Sequence, residues 1–256
     1  MVHVRLAALA FAWGLATLPP ASPATPVMPA DTADAPRLLY VYDALCGWCY
    51  GFSPVVGELR RRHPELPVEV VSGGMIRGGR RGPLGEVAAY IKSAYRDVER
   101  ATGVRFGAGF VEGPLETGEM YMTSEPPAAL LAYVREVASE RAYDAAHALQ
   151  EGIYDRGYGP GSDELAAHLA GALGLDADDV AAALTDERYA RLAEGDFALT
   201  ARLGIRGFPA LLLVRGGEVR VVANGYAPLE VVERHLAAAL RPAPASATRE
   251  PGSPNP

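Results

Sequence analysis

The sequence predicts an α/β fold in which a βαβ opening and a ββα ending are separated by a long helical block. Three observations carry this reading. The run Arg37-Leu-Leu-Tyr-Val-Tyr42 has strand character and leads into Cys46-Gly-Trp-Cys49 and an apolar-periodic helix to Arg62, with a second strand-like run at Pro67–Ser72. Residues 84–204 read as successive helices. Two β runs around Gly216-Gly217 then make a hairpin with a two-residue loop, and an amphipathic stretch follows it.

The chain begins with His3 and Arg5, an apolar run from Leu6 to Leu18, and small residues at Ala21-Ser-Pro-Ala24. This is the pattern of a secretory signal peptide over 1–24, and the apolar run is short for a membrane span. Six prolines fall in residues 19–36 and five in 242–256, so 11 of the 21 prolines flank the expected fold. Residues 25–36 and 242–256 are therefore expected to be a linker and a tail.

The first helix carries Phe52, Val55, Val56 and Leu59 on one face, with Arg60, Arg61 and Arg62 where cations suit the helix dipole and Pro54 in its interior. The second strand is expected to lie parallel to the first. Gly73–Gly85 holds six glycines with Arg77, Arg80 and Arg81, but has neither a phosphate-loop ending nor Rossmann spacing, so it reads as a mobile loop. Val87, Tyr90, Ile91, Ala94, Tyr95 and Val98 form a stripe closed by Gly103, and by default a stripe is a core face. Ser124-Glu-Pro-Pro is expected to cap the next helix, and Tyr143, Ala146, Leu149 and Ile153 mark another. Three shorter helices are expected from near Ser162, Asp176 and Thr185, the last ending at Gly204. His147 and His168 stand alone and read as surface or packing residues. Pro228 opens the final helix, which runs through Leu240.

Composition is balanced, with 49% hydrophobic and 21% charged residues and a net charge of −7. A folded unit with a sizeable core fits this, and neither nucleic acid nor an anionic membrane surface is favoured as a partner. Only two cysteines are present, Cys46 and Cys49. At the first turn of a helix the dipole and unpaired N–H groups stabilise a thiolate, so Cys46 is the expected nucleophile and the more exposed thiol. Cys49, one turn on, is the shielded thiol placed to attack a mixed disulfide at Cys46. A purely structural bridge closing so short a loop would contribute only about 2 kcal/mol. The same spacing suits half of a zinc site, but a closed site needs about four ligands and no second cysteine pair exists. No cofactor and no metal are therefore expected.

These residues resemble the DsbA-like branch of the thioredoxin fold, in which a helical domain is inserted between the second and third core strands. The likeness rests on the strand into Cys46-Gly-Trp-Cys49, on Pro54, and on Gly204-Ile-Arg-Gly-Phe-Pro209 at the start of the third strand. Asp43-Ala-Leu-Cys-Gly-Trp-Cys-Tyr-Gly51 is more specifically similar to a group of DsbA-related protein-disulfide isomerases, relatives of the hydroxychromene-carboxylate isomerases and kappa-class glutathione transferases. The resemblance implies a core in two parts, 37–83 and 205–241, around an insert at 84–204. It implies that Pro209 is a cis-proline against the cysteine pair, that Phe208 pairs with the substrate chain, and that Trp48 belongs to the substrate-binding surface. The buried acid that thioredoxins carry six residues before the first cysteine is Tyr40 here. Asp43 is the nearest candidate for proton transfer, or else a turn or capping residue.

The function expected is an exported, periplasmic or secreted thiol-disulfide oxidoreductase or isomerase acting on cysteine-containing client proteins, with a redox partner. The alternatives are a glutathione-dependent isomerase or transferase of the kappa-related branch, and a non-catalytic metal-binding module.

Overall fold

The structure, a computed structural model, describes residues 35–241; the expected signal peptide at 1–24, all but the last two residues of the expected linker at 25–36, and the expected tail at 242–256 lie outside the described residues. β1 (Arg37–Tyr42), α1 (Gly47–Arg62) and β2 (Val68–Ser72) open the fold, and β5 (Ala210–Arg215), β6 (Glu218–Asn224) and α10 (Leu229–Leu240) end it. Between them lie β3 (Gly82–Pro83), α2 (Ala88–Thr102), α3 (Ala108–Val111), α4 (Pro114–Thr117), β4 (Tyr121–Met122), α5 (Glu125–Val137), α6 (Ala142–Tyr154), α7 (Asp163–Leu173), α8 (Ala177–Ala182) and α9 (Glu187–Arg202). The α/β class and the βαβ, helical insert, ββα order stand as the sequence predicts. The last helix of the insert starts near the expected position, where Asp186 caps it by accepting from the Arg188 N–H, and it ends two residues before Gly204.

The main sheet has the order β2-β1-β5-β6, with β1 and β2 parallel and the other pairs antiparallel. Alternation along β1 sorts its side chains. Leu38, Tyr40 and Tyr42 point into the large core with Phe52, Val56 and Leu59 of α1, while Leu39 and Val41 join Val71, Leu212 and Val214 against Leu199 of α9 and Leu203 just after it. Each such fully buried large side chain contributes about 1.5–3 kcal/mol. Gly216 and Gly217 both take positive φ, +56° and +78°, which the tight hairpin between β5 and β6 requires.

Two expectations for the insert are corrected. In the α2 stripe only Val98 is buried, while Val87 and Tyr90 are 45% and 73% exposed, so much of this face borders a groove instead of filling a core. Ser124 sits at the start of α5 but makes no capping bond there. Its hydroxyl donates to Asp43 and accepts from the Ile76 N–H, which serves the loop before the insert. That loop is tied at two points: Met75 N–H donates to Asp43 at 2.7 Å, and Gly82–Pro83 pair with Tyr121–Met122.

Candidate active site

β1 ends at Tyr42, and Asp43 turns the chain into α1. The Asp43 carboxylate accepts from Leu45 N–H at 3.0 Å, its carbonyl accepts from Cys46 N–H at 3.1 Å, and Cys46 becomes the N-cap of α1. Cys46 is therefore the residue before the helix, not its first helical residue. Its Sγ accepts from the Cys49 N–H at 3.3 Å, so the helix terminus presents a donor to that sulfur. On the other side Sγ lies 3.6 Å from the carbonyl of Phe208. The exposure expected for Cys46 is corrected by this packing: it is 5% exposed and Cys49 0%, so both are buried and only Cys46 keeps a margin of access. Neither is in a disulfide.

The Phe208–Pro209 peptide bond is cis. The Phe208 ring fills the space a side chain at Gly73 would occupy, which anchors this loop to the end of β2. Gly225 N–H donates to the Pro209 carbonyl at 2.7 Å, and the next residue, Tyr226, packs on Trp48 with ring centroids 6.1 Å apart. Trp48 is 36% exposed. Cys46, Cys49, Trp48, Phe208 and Pro209, separated by some 160 positions, thus come together at one site, with Trp48 its exposed part; Tyr226 belongs there too and had no signal in the sequence.

Asp43 lies behind this surface, 2% exposed, with its carboxylate also accepting from Ser124 Oγ at 3.0 Å and from Met75 N–H at 2.7 Å. Burial pushes its carboxyl up, against the pull of these hydrogen bonds. Burial likewise pushes the Cys49 thiol well up, helped by its hydrogen bond with Cys46 and the charge that a Cys46 thiolate carries. Cys49 is thus held as the neutral thiol beside a more accessible sulfur. Tyr40 donates to the Cys49 carbonyl at 3.3 Å, and burial holds its phenol well above the usual range, so it cannot replace the missing acid as a base near neutrality.

A groove of about 510 Å³ opens beside Cys46, with α2 as one wall and Phe106, Phe110 and Tyr154 in its lining. A larger cleft of about 970 Å³ follows the outer edge of β2, but it holds neither thiol. Of the two, only the groove is lined by Cys46 and Trp48.

The sequence matches the DSBA-like thioredoxin domain family over residues 37–237. The chain belongs to this family. Among solved structures, this DsbA-like chain is similar to a protein of Nitrosomonas europaea named as a candidate protein disulfide isomerase, at 26% identity and a TM-score of 0.71, covering 80% of this chain and 97% of that one. It is also similar to the cytosolic disulfide reductase DsbM of Pseudomonas aeruginosa, at 27% identity and a TM-score of 0.68, covering 80% and 98%. The same Pseudomonas protein with GSH aligns at 26% identity and a TM-score of 0.65, covering 80% and 98%. No curated protein matches the sequence.

Proposed function

We propose that this DsbA-like protein is an exported thiol-disulfide oxidoreductase that exchanges disulfides with cysteines of client proteins through Cys46 and Cys49. The observation that carries the reading is the Cys46 sulfur at a helix N-cap, beside the Phe208 carbonyl and at the mouth of an apolar groove. In the reducing direction the Cys46 thiolate attacks one sulfur of a client disulfide, and the other sulfur leaves as a thiolate. Cys49 loses its proton and attacks Cys46, releasing the second client thiolate; the two electrons come from the Cys46–Cys49 dithiol, which becomes the disulfide. Asp43 is the nearest carboxylate to receive the Cys49 proton. Phe208 and Pro209 dock the client strand, and Trp48 lies under it.

The basic start and apolar run of residues 1–24 support export to the periplasm or outside the cell. With Gly47-Trp48 between the cysteines, no imidazolium favours the reduced form, so the potential is expected below the ≈ −120 mV of DsbA, at about −180 to −270 mV. A protein poised there acts as a reductase or isomerase more than a primary oxidant, and a second component must reset it.

Cys49→Ser should trap mixed disulfides with clients, and Cys46→Ser should trap few or none. Equal trapping by both would count against an ordered pair of roles. The glutathione-dependent reading keeps one specific support, the similar Pseudomonas structure that holds GSH. Insulin reduction with dithiothreitol and no glutathione separates the two: exchange there favours the protein-client reading.

A further inference from the structure

Ser72 is the last residue of β2, and the chain around it is held from both sides. On the inner side Gly73 N–H donates to the Tyr42 carbonyl at 2.6 Å. On the outer side Asp196 and Thr200 of α9, four residues apart and so on one helix face, bond the main chain as a strand would. Asp196 Oδ2 accepts from Ser72 N–H at 3.0 Å, and Thr200 Oγ1 donates to the Ser72 carbonyl at 3.3 Å. Ser72, Asp196 and Thr200 are all buried. The next residue, Gly73, has no side chain, and the Phe208 ring fills that space, with ring atoms 2.2 to 2.8 Å from where a Cβ would stand.

Thr200 also holds the other partner of that contact. Its main-chain carbonyl accepts from Ile205 N–H at 3.2 Å, in the turn by which the chain leaves α9 and runs to Phe208–Pro209. Ile205 and Phe208 then pack beside Leu199 on the small core of Leu39, Val41 and Val71. One residue thus bonds, through its hydroxyl, the segment that receives the Phe208 ring and, through its carbonyl, the segment that delivers it. The Phe208 carbonyl stands 3.6 Å from the Cys46 sulfur, so a movement of either segment moves that carbonyl relative to the thiol.

We propose that Thr200 is a positioning residue for the exchange reaction, setting where the Phe208 carbonyl stands opposite Cys46 and hence the line along which a client strand presents its sulfur; this rests on the thiol-exchange reading above. Thr200 touches neither sulfur and transfers no proton. Its part is to preset the loop, so that client binding need not order it first. A small disulfide that reaches Cys46 without pairing to the Phe208 carbonyl gains nothing from this. The effect of Thr200 is therefore selective by substrate, which support of the fold alone is not. Asp196 shares the hold on Ser72 but also pairs with Arg135, so Thr200 gives the cleaner test.

Thr200→Val keeps the shape and leaves the buried Ser72 carbonyl without its donor. Two probes read the result, each releasing thionitrobenzoate when the reduced protein attacks: a short extended peptide whose single cysteine carries that group, and cysteamine carrying the same group. In single-turnover release, the peptide concentration that half-saturates the rate is expected to rise roughly tenfold in Thr200→Val, the size of one lost hydrogen bond. The limiting rate and the rate with cysteamine should stay near wild type. Thr200→Ser restores the donor and should restore the half-saturating concentration. Thr200→Ala leaves room for a water at the Ser72 carbonyl, so it should fold even if Thr200→Val does not, and show the same selectivity in smaller measure. Val180→Ala, at a buried position of α8 outside the groove, is the destabilised control and should leave the ratio of the two probes unchanged. Equal losses on both probes, no change on either, no rescue by Thr200→Ser, or the same selectivity in Val180→Ala would overturn the proposal. A wild-type protein that releases thionitrobenzoate from neither probe would instead remove the reading on which it rests.

Discussion

Asp43 is the residue that binds three segments to the cysteine turn. Its carboxylate holds Leu45 in its own turn, Met75 in the loop after β2, and Ser124 at the start of α5. Asp43→Ala should cost about 1–3 kcal/mol in denaturant melts, since it leaves these buried donors without an acceptor. Asp43→Asn retains one acceptor oxygen, enough for Leu45 and Ser124 but not for Met75, and should fold better than Asp43→Ala; if it slows release of mixed disulfides more than its loss of stability explains, a proton-transfer role is supported beyond the structural one. Cys49 makes a pH prediction. Its folded thiol titrates well above its ordinary value, so the neutral form is the one the fold favours. The stability this group contributes is present below that value and is lost as pH rises through the folded titration. Reduced wild-type protein should thus lose stability relative to Cys49→Ala as pH climbs above about 8.5, the ordinary thiol value. A constant difference across that range would contradict it. At Gly73 a methyl group would meet the Phe208 ring, so Gly73→Ala should impair exchange more than its thermal stability, by moving the loop opposite Cys46.

At the scale of elements, two contacts decide how the site is framed. α1 carries Gly51 in its interior, a choice that costs about 1 kcal/mol of helix propensity. The reason is α2: a Cβ at Gly51 would come within 2.7 Å of Thr102 and 2.9 Å of Val98. Gly51→Ala should destabilise the fold by about 1–3 kcal/mol and push α2 away, widening the groove. The other contact protects the outer edge of the sheet. β2 has a free edge, and side chains take the place of a neighbouring strand: Arg135 donates to the Val70 carbonyl at 3.2 Å, Asp196 accepts from Ser72 N–H at 3.0 Å, and Thr200 donates to the Ser72 carbonyl at 3.3 Å. Arg135 and Asp196 also pair at 2.5 Å, and burial still raises the Asp196 carboxyl against the pull of Arg135. Arg135→Met should cost about 1–3 kcal/mol, tempered by the partial exposure of Arg135. Without the guanidinium the Asp196 carboxyl rises further. Its protonated form is the stable one below that value, so the variant should suffer more at neutral than at acid pH. An equal loss at both would show that Asp196 does not carry the charge.

For the whole molecule, the insert is part of the candidate active site and not an appendage to it. Phe106 is the residue that joins them, packing its ring on Tyr50 of α1, Tyr95 of α2 and Tyr154 of α6. Phe106→Ala should cost about 3–5 kcal/mol. Because the core and the insert share this cluster, urea unfolding should remain a single transition; an early loss of insert helices alone would show them to be independent units. The proposed export adds a test at this scale, since fractionation should place the chain outside the cytoplasm in a shortened form that begins near residue 25.

Much of the fold was legible because its signals act within a dozen residues. Alternation in β1, the Gly216-Gly217 turn, caps such as Ser162 and Asp176, and the Cys-x-x-Cys turn depend on near neighbours, and the structure forms them accordingly. That Pro209 lies against the cysteine pair was inferred by likeness to a known family and not from the residues themselves; the contact of Cys46 with the Phe208 carbonyl, 162 positions away, came only with the structure. What remained hidden were the faces whose partners are remote. The α2 stripe has the spacing of a core helix, and only the packing of α1, α3 and α6 leaves Val87 and Tyr90 uncovered beside the sulfur. Ser124 has the sequence of a cap and the geometry of a bridge to Asp43, 81 positions earlier. Tyr154 and Tyr226 carried no signal in the sequence. Periodicity states that a side chain points to one side of its helix; whether that side meets another element, a groove or a thiolate depends on contacts that exist only once the chain has closed on itself.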